Sequence, residues 1–466
     1  MVRKGLLAAL LLTATFVISC GGGSSSTTTP TPTPTPAGST LFNFTIGDTP
    51  PAGVTILSFE ISVTNAVLHQ GTTDVSILSA PVRVEVTQLK TESALLKTLG
   101  VAPGQYDSIT VTFADPEMTI MNGTGSSIGS CAAGAVCKLE SSQLKLNPAT
   151  VDYSGTPFPL NLTDNTTTGL FLDFNLDASV QSDLSIQPQI GFKQLPVVQH
   201  SREDDVEEMD DLKGKISAVG NDQFTLQSPG SGQSFTILVD SSTVYEKFGE
   251  SGLTNDFSSL KAGQIVEVNY KLTGDGSLLA TTVDLKEPEQ GEELEGTITS
   301  VDSATQFTMV VLDKIADMAS VQVGDSVTVD VTSASFRIDD EDLDIPSDVS
   351  FNTPVDLLVG QTIEVSPASS SSGTSIVAER VRLKTSQFTA QVESVAGSVV
   401  TVNNLPGLFT SAGITEIEVR VLAGTEFDNV SDVSALSAGD NLALRGLLFA
   451  RTGGTPVLLA KKIKKL

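Results

Sequence analysis

Tryptophan is absent from this 466-residue chain, and tyrosine, cysteine and histidine occur only four, three and two times. Each scarcity narrows the chemistry. Carbohydrate sites rely on aromatic platforms, and a chain so short of Trp and Tyr is poorly supplied for them. The two histidines, His69 and His200, lie in different segments, and neither belongs to a Gly-x-Ser-x-Gly elbow or a His-Glu-x-x-His pair. His69 reads as a residue at the end of a strand pattern and His200 as one at a hinge. Basic residues are also few: 27 Lys and Arg stand against 55 Asp and Glu, for a formal charge of −28. Such a chain repels polyanions. Phosphate neutralisation needs clustered cations, so nucleic acid is excluded as a partner. Long apolar runs are missing as well. Leu6–Ile18 spans thirteen residues, short of the ~20 that a membrane-crossing helix needs.

What is present begins with an address. Arg3 and Lys4 precede the Leu6–Ile18 run, and the small residue Ser19 precedes Cys20. This order describes a secretory signal peptide over residues 1–19. Val17-Ile18-Ser19-Cys20 resembles the lipobox of bacterial lipoproteins. That resemblance implies that Cys20 is lipidated, becomes the mature N-terminus and attaches the protein to a membrane through its lipid. Gly21 in place of Asp implies the outer membrane or cell surface as destination. A secreted protein with an incidental cysteine at its cleavage site is the alternative. Residues 20–39 then form a Ser/Thr/Pro tether, in which proline favours an extended course. The basic end, Lys461 to Lys465, reads as an exposed strand face rather than a membrane patch.

The remaining composition favours strands. Leu57, Phe59, Ile61 and Val63 alternate with polar neighbours, as do Ile109, Val111 and Phe113, and again Leu170, Leu172, Phe174 and Leu176. Period two means strands with one buried face. Residues 40–199 therefore read as an antiparallel β-sandwich, with Glu92–Leu99 as its one short helix. Cys131 and Cys137 close a Gly/Ala loop, and in an exported chain they read as a disulfide. Residues 200–211 form an acidic linker kept extended by like charges. Calcium capture there lacks both a Gly turn and a spacing pattern.

Beyond the linker three ordered blocks recur three times. Leu212–Val219 corresponds to Leu294–Val301 and to Phe388–Val395. Leu260–Val268 corresponds to Leu358–Val365 and Leu436–Leu444. Leu279–Leu285 corresponds to Val377–Leu383 and Leu459–Ile463. Solenoid units run ~20–50 residues, whereas these are large enough to fold as small domains. The expected architecture is all-β: the N-terminal sandwich followed by three repeated small β-barrel modules, akin to the oligonucleotide/oligosaccharide-binding type. The modules span 212–287, 292–385 and 386–466.

Two family likenesses follow from these residues. Gly47-Asp48-Thr49-Pro50, Val84–Leu89 and Val101–Tyr106 resemble the bacterial domain-of-unknown-function family four-three-eight-two. The Gly-x-Ile and Leu-x-x-Gly-x-x-Val-x-Val blocks resemble family five-six-six-six. Neither resemblance implies catalytic residues.

No reaction is legible. Asp339, Asp340, Asp342 and Asp344 form an acidic cluster in a stretch lengthened relative to the other repeats, and oxygen-rich loops suit Ca²⁺. A solvated loop is the plainer reading of the same residues. The expectation is a non-enzymatic, lipid-anchored cell-envelope protein that displays binding or scaffolding modules toward an envelope protein or extracellular ligand. A carboxylate-dependent extracytoplasmic hydrolase and a calcium-stiffened adhesion protein are the alternatives.

Overall fold

The structure, a computed structural model, describes residues 54–466 except 79, 91–95, 97–99, 164–165, 168, 195–197, 200–208, 228–233, 274–276, 288–292, 316–319, 340–342 and 452. The signal peptide, Cys20, the tether, His200, nearly all of 92–99 and most of the acidic run lie outside the described residues.

Alternating apolar residues build the first region. Strands β1 (Val54–Gln70), β2 (Thr73–Ser76), β3 (Val82–Glu85), β4 (Gly104–Tyr106), β5 (Ser108–Asn122), β6 (Val136–Leu139) and β7 (Thr150–Tyr153) lead the chain order. They are followed by β8 (Leu160–Leu162), β9 (Thr166–Thr167), β10 (Leu170–Phe174), β11 (Ile190–Gln194) and β12 (Val198–Gln199). β1 pairs with β5 along most of its length, β2 and β3 add to β1, and β6 and β7 add to β5. Bulges break the β1–β5 register at three places, which lets two long strands bend. Phe59, Ile61, Val63, Ile109, Val111 and Phe113 share the buried face, each such side chain stabilising the fold by roughly 1.5–3 kcal/mol. The β10–β11 hairpin covers them: the Phe174 ring sits 5.5 Å from that of Phe113 and 5.9 Å from that of Phe59.

Three copies of one pairing scheme follow. The first uses β13 (Met209–Val219), β14 (Gln223–Gln227), β15 (Ser234–Leu238), β16 (Val244–Glu246), β17 (Ile265–Leu272) and β18 (Leu278–Glu287). Hydrogen bonding runs β15-β14-β13-β17-β18, and β18 returns in parallel to β15 and β16, closing a ring of neighbours. The second uses β19 (Glu293–Ser303), β20 (Gln306–Ile315), β21 (Ser326–Asp330), β22 (Ser335–Ile338), β23 (Thr362–Pro367) and β24 (Ser375–Ala396), with the same partners in the same senses. The third takes the far half of β24, then β25 (Val399–Asn403), β26 (Ile417–Asp428), β27 (Asn441–Phe449) and β28 (Val457–Lys465). There the single strand β26 does the work of two, pairing in parallel with β28 on both sides of a bulge.

The recurring sequence blocks acquire physical reasons. A Cβ on Gly296 would stand 2.3 Å from the Val310 carbonyl oxygen, and one on the equivalent Gly214 would stand 2.5 Å from that of Gln227. Only glycine admits those close crossings. Gly263, Gly360 and Gly439 turn the chain at φ of 98°, 89° and 93°, where a side chain is strained. The next residue fastens each turn. Gln264 and Gln361 are buried, accept the N–H of Lys261 and Leu358 through Oε1, and donate through Nε2 to the Ser259 and Asp356 carbonyls. In the third repeat Asp440 accepts from the Ser437 N–H instead.

One boundary differs from that expected, and the boundary at 385/386 falls inside a strand. Met209 already pairs with Tyr270, so β13 starts inside the acidic linker. No linker separates the second and third repeats: β24 runs unbroken through 385–386. Leu447, Phe449, Val457 and Leu459 of the third repeat accordingly lie in the same core as Ile376, Val381 and Leu383 of the second. The first region joins these two through Leu57, which clusters with Val310, Val359 and Leu408, and through the Thr119 hydroxyl, which donates to the Gly324 carbonyl at 2.6 Å.

Candidate functional site

The first and second repeats meet differently, through charge. In each strand the residues beside the core positions project from the outer face of the ring. Lys213 on β13 lies in register with Glu267 on β17, and Glu267 with Asp284 on β18. The equivalent row in the second repeat is Glu295 on β19, Glu364 on β23 and Arg382 on β24, extended by Asp313 on β20. The first and last members have thus exchanged sign between copies, and the two faces are brought together.

Lys213 reaches across the joint. Its ammonium lies 2.7 Å from Glu293 Oε2 and 2.6 Å from Glu364 Oε2, and Arg382 Nη1 donates to the other Glu364 oxygen at 2.6 Å. A second knot surrounds Asp339, only 2% exposed. Lys384 donates to its Oδ2 at 2.7 Å, Lys286 to the same oxygen at 3.3 Å and Lys247 to Oδ1 at 3.4 Å. Lys247 and Lys286 come from the first repeat and also share Asp284 Oδ2, each at 2.8 Å, while Lys286 reaches Glu267 at 3.2 Å.

Burial and neighbours pull these groups in opposite directions. Burial pushes Glu364 up, but Lys213, Arg382 and Lys384 outweigh it and hold the carboxyl below its ordinary range. Burial pushes Asp339 up too, and its three lysines hold it well below. Glu293 goes the other way, raised first by burial and then by Glu364 beside it. Burial also carries Glu295 up to about 7 against the opposing pull of Lys384 and Lys213. On the cationic side burial lowers Lys213, and Glu293 and Glu364 more than restore it. A buried network of this kind costs desolvation. It contributes little net stability unless complete, yet losing one member costs ~3–5 kcal/mol.

The acidic cluster of the second repeat therefore separates. Asp339 faces ammonium groups on both oxygens, Asp344 is exposed, and Asp340 and Asp342 lie outside the described residues. Among the described residues no group of three or more His, Cys, Asp or Glu side chains is arranged to hold a metal ion. Cys131 and Cys137 are joined as a disulfide across a six-residue separation.

His69 has more company than its sequence suggests. Its Nδ1 lies 2.7 Å from Asp74 Oδ1 and its Nε2 2.7 Å from Thr110 Oγ1, in a row across β2, β1, β5 and β7 that ends at Asp152. The Thr110 hydroxyl donates to Asp152 at 2.5 Å. A hydroxyl that spends its only proton there accepts from His69 and is not poised as a nucleophile. Elsewhere a cleft of about 340 Å³ opens between the first region and the last two repeats, walled by Ile56, Leu57, Leu176, Phe388, Leu405 and Phe409. Among the described residues that line it, Asp177 is the one ionisable group.

The joint was not visible beforehand. Lys213, Glu293, Glu364, Arg382 and Lys384 sit within or beside the repeated blocks, and their signal was limited to being charged on the strand face opposite the core.

These features define a multi-module all-β protein with internally repeated, ring-paired units. Residues 39–193 match the family model of a Domain of unknown function (DUF4382), and residues 213–284 and 295–382 match a second, also a Domain of unknown function (DUF5666), in that order. No curated protein matches the chain. Two solved structures overlap about half of it. "Drosophila Unr CSD456" is 10% identical, covering 56% of this chain and 98% of its own, at a TM-score of 0.12. A multidomain protein with nucleic acid binding domains from Streptococcus pneumoniae TIGR4 is 11% identical, covering 53% and 72%, also at 0.12. Scores this low carry no argument about fold or function.

Proposed function

We propose that this is a non-enzymatic cell-envelope lipoprotein, anchored through Cys20, whose repeats form a stiff scaffold that presents binding surfaces away from the membrane. The observation that carries the scaffold reading is the coupling of successive repeats: a shared strand and core join the second to the third, and a buried ion network joins the first to the second. Modules meant to move independently have small, separable contacts. The Cys131–Cys137 disulfide supports an oxidising, exported setting, and the lipobox-like segment before Cys20 supplies the anchor.

Membrane fractionation of producing cells tests the reading, comparing the natural chain with Cys20→Ala. The natural chain is expected in the membrane fraction and the variant in the soluble fraction. Equal membrane retention of the two removes the lipid anchor. The scaffold half is tested by small-angle scattering, where a distance distribution characteristic of flexible beads would defeat it.

A further inference from the structure

Strands β5 and β6 carry a small patch on the face turned away from the core of the first region. Thr119 and Met121 on β5 lie in register with Lys138 and Val136 on β6. Residues two apart in a strand share a face, and these four meet the repeats. The Thr119 hydroxyl donates to the Gly324 carbonyl. Met121 and Val136 pack on the cluster that joins Leu57 to Val310, Val359 and Leu408. Lys138 donates to the Val323 carbonyl at 2.8 Å and to Asp325 Oδ1 at 3.1 Å. The fit is close: a Cβ on Gly324 would stand 2.8 Å from Thr119 Oγ1 and 3.4 Å from Lys138 Cε.

Half of that patch rests on a slight element. β6 has four residues, and among the described strands β5 is its one ladder partner. Its far end is held by Leu139, buried in the core of the first region. Its near end is held by Cys137, which stands between Val136 and Lys138 and therefore faces the opposite way. Cys137 is bonded to Cys131, a fully buried member of the same core. Cys131 is itself a fixed point, because the buried Asn122 side chain donates to the Cys131 and Ala132 carbonyls at 3.0 and 3.2 Å. The disulfide thus holds β6 from inside while the residues on either side of Cys137 grip the repeats from outside.

We propose that the Cys131–Cys137 disulfide is an oxidation-dependent fastener for the joint between the first region and the repeats. Closing it seats Val136 and Lys138, and opening it lets the edge strand fray and release the 322–325 turn. Closure takes two electrons and two protons from the thiol pair, and a disulfide of an exchange partner receives them as two thiols. The inference rests on the exported setting only for that oxidant. The chain's remaining cysteine is Cys20, so the ionic joint and the shared-core joint are indifferent to this chemistry.

Hydrogen exchange read by mass spectrometry tests the fastener on the full chain carrying Cys20→Ser, with and without the further pair Cys131→Ser/Cys137→Ser. Residues 320–327 are distant from both cysteines in sequence, and their turn is closed by the Gly324 and Asp325 N–H groups. Their exchange is expected to quicken several-fold in the variant, while that of β17 and β27 stays unchanged. Lys138→Met is expected to quicken the same residues with the disulfide intact. Should the serine pair fail to fold, reduction of the folded chain with a phosphine makes the same comparison. Unchanged exchange at 320–327 on loss of the disulfide, or an equal rise in β17 and β27, overturns the fastener. Either result is independent of the membrane fractionation that tests the anchor.

Discussion

Lys213 and Glu295 hold the same place in consecutive repeats and carry opposite charges. Each is followed by a glycine that crosses a neighbouring strand too closely for a side chain, and each lies in register with a glutamate of the next strand, Glu267 or Glu364. Exchange of sign at one position turns two related faces, otherwise prone to repel, into a matched pair.

Lys213→Glu is expected to be the most damaging single surface-facing change in the first repeat. It removes the ammonium shared by Glu293 and Glu364 and adds a third carboxylate. The loss of one member of a buried pair costs about 3–5 kcal/mol. Urea denaturation of the full chain is expected to shift to a lower midpoint by that amount, and a shift below ~1 kcal/mol, the range of exposed pairs, contradicts the buried role.

Asp339 and Glu364 fix the acid limb of stability. Both are held below their ordinary values by lysine and arginine neighbours, so the folded state binds fewer protons than the unfolded chain at mildly acidic pH. Their contribution is present above the unfolded carboxylate range near 4 and is lost as pH falls from there toward 2. Glu295 works in reverse: with its folded value near 7, its contribution is fully present below about 4.5 and is lost as pH rises through 7. Thermal melts between pH 2 and 9 should therefore reach a maximum in between. Asp339→Asn should blunt the acid limb and leave the alkaline limb in place.

Gly296→Ala is expected to destabilise by about 1–3 kcal/mol, the cost of forcing extra atoms into a packed site. Its Cβ would meet backbone, the Val310 carbonyl, which cannot rotate away. Gly413→Ala is not a neutral control, because its φ of 80° strains any side chain. Gly100→Ala, with open space around it, should leave the melting curve nearly unchanged.

Reduction of Cys131–Cys137 should lower stability by about 2 kcal/mol, as closure of so short a loop predicts. Melts with and without reductant check this, and Cys131→Ser/Cys137→Ser should reproduce the reduced curve. Cys131 is fully buried, so the double variant is expected to fall slightly further than reduction alone.

Much of this architecture could be read from residues alone, because apolar alternation and glycine placement are local facts. Phe59-x-Ile61-x-Val63 and the three Gly-punctuated blocks each specified a strand or turn without reference to distant residues. Two things stayed hidden for the same reason. Asp339 looked like part of a cation-binding loop because its neighbours in sequence are acidic, whereas the lysines that neutralise it lie 45, 53 and 92 residues away. The seam at Leu383-Lys384-Thr385-Ser386-Gln387-Phe388 holds neither Gly nor Pro, and periodicity could not say that one strand continues through it. The size of the repeats implies units able to fold as small domains, which does not say where the backbone bends.

The unbroken β24 has an evolutionary consequence. A gene duplication that copies one repeat ordinarily inserts or deletes at a tolerant seam, but here the seam lies in the middle of a 22-residue strand. Loss of the third repeat would strip β24 of its partners β25 and β27 and open the side of the second repeat's core. The last two copies are thus one structural unit, and a recombination breakpoint between them would sever a strand.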